Sequence, residues 1–127
     1  MAIKRGAEDI HFSKAVRQRD KTCQRCKKDQ GLECAHIFGR ANKAVRWSMD
    51  NALALCHYCH RYYTGNPVQF HDDLLKMYGE GHMAILREKS RAILKTNKLL
   101  RAEISKHYRL ELKSADEDPT YTIVSWN

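Results

Sequence analysis

The chain has 127 residues, enough for one domain with one core rather than two. Hydrophobic residues make up 43% and charged residues 30%, with a formal net charge of +8. That balance excludes an acidic solvating chain and points to polyanionic partners, nucleic acid first. No apolar run approaches the ~20 residues that span a bilayer, so no membrane partner is expected, and "MAIKRGAEDI" lacks the apolar core of an export signal.

In chain order, "DIHFSKAVRQRD" predicts a short helix with Asp9 as N-cap and Phe12 and Val16 on one face. "CQRCKKDQG" is a tight turn closed by Gly31, before a strand over 32–37 in which Leu32, Cys34 and His36 share a face. "GRANKAVRWSMDN" is a polar loop, and "ALALCHYCHRYY" passes from a short apolar run into a helix start. Asn66 caps a helix that Pro67 opens and Gly79 ends, with Phe70, Leu74 and Met77 on one face. From about Ala84 to Lys113 the spacing of Leu86, Ile93, Leu100, Ile104 and Tyr108 predicts one long amphipathic helix, Lys- and Arg-rich elsewhere. The stretch "SADEDPTYTIVSWN" reads as a partly ordered acidic tail whose "YTIVSW" could add an edge strand.

Charge follows this layout. Residues 1–30 carry a net +5, 31–83 balance, 84–113 carry +6 and 114–127 carry −3. Two basic arms therefore flank a neutral centre, a suitable frame for local chemistry between phosphate-gripping segments. The expected organisation is a main unit over 1–83, a basic helix over 84–113 packed on it or extending it, and a tail over 114–127.

Five cysteines are an odd number, and four fall in two C-x-x-C pairs, Cys23/Cys26 and Cys56/Cys59, separated by 29 residues. Without an export signal, such pairs point to metal rather than disulfides. Four thiolates can close a tetrahedron around zinc, and a closed tetrathiolate is structural rather than catalytic. The unpaired Cys34 reads as a small buried hydrophobe.

Between and just after the knuckles stand His36, Asn51, His57 and His60. "LECAHIFGR…AVRWSMDNALALCHYCHRYYTGNP", with its "FSKAVRQRD…CQRC" lead-in, resembles the HNH endonucleases, above all small phage-encoded ones with paired C-x-x-C knuckles. The likeness runs from about Phe12 to Gly79. It implies an α+β fold, a zinc-stabilised ββα-metal hairpin-plus-helix core with flanking basic helices. It also implies hydrolysis of DNA phosphodiester bonds with one catalytic Mg²⁺ or Mn²⁺ beside the structural zinc. His36 matches the general base, Asn51 the motif asparagine that braces the hairpin, and His60 the helix-borne metal ligand. Many HNH enzymes place a metal-binding aspartate just before the base, where this chain has Ala35. Asp50, Asn51 or His36 itself would then complete the ion's shell with water and phosphate.

Arg40, Arg46 and Arg61 could contact phosphates, Trp47 anchors the loop, and His57 is structural. RNA is not excluded beside DNA, because phosphate contacts carry no sugar identity. The long helix could support a homodimer. A phage nuclease of this kind would act in the cytoplasm of a bacterial host, in DNA recombination, packaging or processing. The alternative is a catalytically silent, zinc-stabilised DNA-binding module, which has no use for His36 and His60.

Overall fold

The computed structural model describes residues 3–127. Helix α1, Ala7–Asp20, starts from an extended Gly6 and ends at Lys21, which is left-handed at φ 63°. Asp9, expected as the N-cap, lies instead one turn in and reaches back to accept the Gly6 N–H at 2.9 Å. The backbone makes Gly6 the cap, and the acid still satisfies a free donor of the first turn. Phe12, Ala15 and Val16 form the buried stripe.

Strands β1 (Leu32–His36) and β2 (Ala52–Cys56) pair antiparallel, with Leu32 opposite Cys56 and His36 opposite Ala52. The pairing reaches Ile37, whose N–H donates to the Asn51 carbonyl at 2.8 Å. Strand alternation divides the interior in two. Cys34 and Ala52 join a cluster with Phe12, Val16, Trp47, Ile104 and Tyr108. Ala35, Leu53 and Leu55 join a second, with Tyr63, Leu74, Met83 and the knuckle cysteines Cys23, Cys56 and Cys59. The two-stranded sheet thus lies between α1 and its partners on one face and the knuckles on the other.

Helix α2, His57–Gly65, follows β2 directly, and α3, Pro67–Ser90, follows α2. Gly79 does not end α3. It is non-helical at φ 86° and ψ 163°, and the helix resumes beyond it at a kink, a conformation that suits a residue without Cβ.

The single helix expected over 84–113 is two helices. The chain leaves α3 after Ser90, and α4 runs Lys98–Glu117 from a new cap, the Asn97 side chain accepting the Leu100 N–H at 2.8 Å. Ile93, assigned to the apolar stripe, is 90% exposed, whereas Ile104 and Tyr108 are fully buried. Two separate stripes had merged into one apparent period. α4 packs along α1, joined also by a 2.9 Å hydrogen bond between His11 and Ser105.

The tail does not form a strand. Its polar groups meet α4 and the loop before β2: the Val124 N–H donates to Glu111 at 2.6 Å and the Trp126 N–H to the Tyr108 hydroxyl at 3.0 Å. Ser125 accepts the Met49 N–H at 2.9 Å, and Ile123 is buried with the α1–α4 cluster. With its donors taken by side chains, the segment has no ladder to join. Residues 98–127 therefore share one core with α1 rather than standing as separate parts.

Candidate metal centre and histidine cleft

The turn after α1 brings Cys23 and Cys26 against Cys56 and Cys59 at the β2–α2 junction. All four sulfurs lie within 4.8 Å of one another. The Cys26 and Cys56 sulfurs are 3.7 Å apart, close to the ~3.8 Å edge of a tetrahedron with the ~2.3 Å arms of zinc–thiolate. In each knuckle the second cysteine's N–H points at the first sulfur, both at 3.5 Å, and the Arg25 guanidinium lies 3.4 Å from the Cys59 sulfur. Burial pushes the Cys23 thiol up, but backbone donors offset it and bring the group to about 6. Burial and the neighbouring thiols push Cys59 up to about 12. Four sulfurs converging this closely can complete a tetrahedral shell around one cation, so the set fits a structural metal such as zinc.

Beside this centre lies a cleft of about 650 Å³ between β1, α2 and α1. His36 and His60 both line it. The His36 Nε2 lies 3.1 Å from the Arg46 carbonyl. A carbonyl only accepts, so Nε2 carries the proton and Nδ1 the lone pair. Phe12 stacks on the ring at 5.6 Å. Burial first, then the positive charges of Arg40 and Arg46, bring His36 down to about 4 against the pull of that carbonyl. The imidazole is neutral near pH 7. His60 has the opposite tautomer: its Nδ1 donates to Glu33 at 2.8 Å, leaving the lone pair on Nε2. The other Glu33 oxygen accepts from His57 at 3.0 Å, and these hydrogen bonds, His60 foremost, hold the Glu33 carboxyl below its usual range.

Glu33 was not read as a site residue from the sequence. The signal available was an acid three residues before His36, but a lone strand glutamate has no distinctive spacing. Cys34 also lines the cleft, and burial pushes its thiol up to about 12, consistent with an inert, hydrophobe-like role.

The other expected residues separate. Asn51 is fully buried: its oxygen accepts the Phe38 N–H at 2.7 Å, and its amide donates to the Phe38 and Val45 carbonyls at 2.9 and 3.1 Å. It staples the two ends of the 37–51 loop together and has no free donor atom for an ion. Asp50 does not line the cleft; its carboxylate lies 3.4 Å from Lys89. Arg46, expected to meet phosphate, is 2% exposed and bonded to both Asp9 oxygens at 3.0 and 2.8 Å. The ion pair turns it inward. Trp47 is buried and donates to Asp9 at 3.1 Å. Arg40 lines the cleft, and Arg61 is exposed on α2 outside it.

These features define a small α+β protein with a cluster of four cysteines placed to hold a metal, and a cleft lined by arginines and histidines. Residues 8–118 match the family model of the bacteriophage lambda NinG protein, and the chain belongs to that family. No curated protein and no solved structure matches it. No helix among the described residues is long and apolar enough to cross a membrane.

Proposed function

We propose that this phage-family protein is a metal-dependent endonuclease that hydrolyses DNA phosphodiester bonds in the recombination, packaging or processing of phage DNA. The supporting observation is His36: a neutral ring with Nε2 held by a carbonyl and Nδ1 unshared, in a basic cleft it shares with His60. The antiparallel hairpin running straight into a helix agrees with the HNH-type ββα-metal arrangement.

His36 Nδ1 takes the proton from the attacking water. A value of about 4 is low for a base, but an anionic phosphate against the ring favours its charged form and raises it. Asn51 keeps the loop, and hence the Arg46 carbonyl, in place. Glu33 fixes the His60 tautomer so that Nε2 is available to the ion. Mg²⁺ or Mn²⁺, if bound at His60, would supply neutralisation of the charge that develops on the phosphate. His60 Nε2 is the donor the cleft would offer, and so small a protein share suits a hard ion that keeps water and substrate oxygens in its shell.

The test is cleavage of plasmid, branched and single-stranded DNA with Mg²⁺ or Mn²⁺ against EDTA. His36→Ala should lower the rate ~10²–10⁴-fold with little change in DNA affinity. His60→Ala should recover part of its activity at higher metal. Full activity in folded His36→Ala removes that residue from the mechanism. A wild type inert on every substrate with both ions leaves a zinc-stabilised binding module.

A further inference from the structure

The cleft has a second wall that the histidines do not use. Arg17 reaches it from α1, Arg5 from the segment before α1, and Arg40 from the loop after β1. Three other arginines that meet α1 are engaged: Arg19 with Asp20, Arg46 with Asp9, Arg101 with Glu8; Arg109, on α4, lines the grooves on the other side of α1 and not this cleft. Arg5, Arg17 and Arg40 make no ion pair among the described residues. Arg17 has only a 3.3 Å bond from Nε to the Ser13 carbonyl, which leaves both terminal nitrogens free. The Arg40 Nη1 is shut off from solvent with no acceptor, a state that is rare and costly for a charged donor. The cleft's own acids do not answer it. Asp9 is occupied by Arg46, Trp47 and the Gly6 N–H, and Glu33 by the two histidines.

We infer that Arg5, Arg17 and Arg40 form a phosphate cradle that holds the nucleic-acid backbone along α1, beside the bond presented to His36. Guanidinium is the suited group, because its planar fork grips phosphate oxygens in pairs. The cradle rests on the nucleic-acid reading above and assigns the grip to the α1 wall rather than to the basic C-terminal arm. The groove between α1 and α4, lined by Lys98, Arg101, Lys106 and Arg109, is the competing surface. Arg101 is already paired there, and no donor in that groove is sealed off without an acceptor.

The experiment is fluorescence anisotropy of a labelled duplex oligonucleotide against salt, without added Mg²⁺ or Mn²⁺ so that nothing is cut, with zinc content and circular dichroism as fold controls. The variant R5Q/R17Q/R40Q should bind more weakly, and its log affinity should fall less steeply with log salt by about 0.9 per arginine removed. Arg→Lys at the same positions should keep most of the slope, since the charge remains. If the triple variant loses zinc, the three single variants carry the test, each expected to lower the slope by about 0.9. An unchanged slope in folded variants overturns the cradle, as does a loss that appears in K98Q/K106Q instead. The two proposals fail separately. A wild type that shows the arginine-dependent slope yet cuts no DNA sinks the nuclease and supports the cradle; cutting with an arginine-independent slope does the reverse.

Discussion

Asp9 accepts hydrogen bonds from Gly6, from two nitrogens of Arg46 and from Trp47, so one carboxylate ties α1 to the loop before β2. Burial raises its pKa, but Arg46 and the other donors outweigh burial and hold it below its ordinary value. A depressed carboxyl contributes stability above its unfolded pKa near ~3.9 and loses it as pH falls through the folded value. Arg46→Ala strands a buried charge and should cost ~3–5 kcal/mol, read as a lower urea midpoint. His36 acts in a higher window. Its folded value of about 4 lies below an unfolded ~6.5, so the unfolded chain binds more protons between them. Stability from the neutral ring is complete above ~6.5 and falls toward pH 4 by about 1.4 kcal/mol per unit at most. In His36→Gln that part of the slope should vanish, and identical pH profiles for the two proteins would show that the ring titrates normally.

At the scale of elements, α4 covers the face of α1 that carries Phe12 and Val16, and its Tyr108 hydroxyl donates to the Trp47 carbonyl. The α4 part of the basic stretch, with Ile104 and Tyr108, is therefore packed into the core cluster of α1. Ending the chain after Gly81 should leave Phe12, Val16 and Trp47 uncovered and the product unfolded by circular dichroism and proteolysis. A folded, zinc-bearing truncation would show that the knuckle half is autonomous. The cap at Asn97 permits a finer cut: Asn97→Ala should cost about 1 kcal/mol by urea denaturation with DNA binding unchanged. The apolar stripe of α4 is covered by α1.

Across the whole molecule the cysteine cluster joins the turn after α1 to the β2–α2 junction and so fixes the hairpin that carries His36. The purified protein should contain one zinc per chain. Cys26→Ser or Cys59→Ser should leave it largely unfolded, while Cys34→Ser should be mild; well-folded protein with no bound metal would refute a structural zinc. The knuckles, the alternating strands and the helix punctuation at Asn66 and Pro67 were legible in the sequence, because they depend on residues a few positions apart in the chain. The break at 91–97 was not, since two helical stripes in phase look like one until their separate partners are seen. Nor could the sequence rank Arg40, Arg46 and Arg61, which look alike in polar segments. Only the fold supplies Asp9 to Arg46, leaves the Arg40 Nη1 in the cleft without an acceptor and leaves Arg61 exposed outside it. Local backbone geometry and ligand spacing are written in neighbouring residues, whereas the desolvation and pairing of a charge depend on groups that meet it only after the chain has closed.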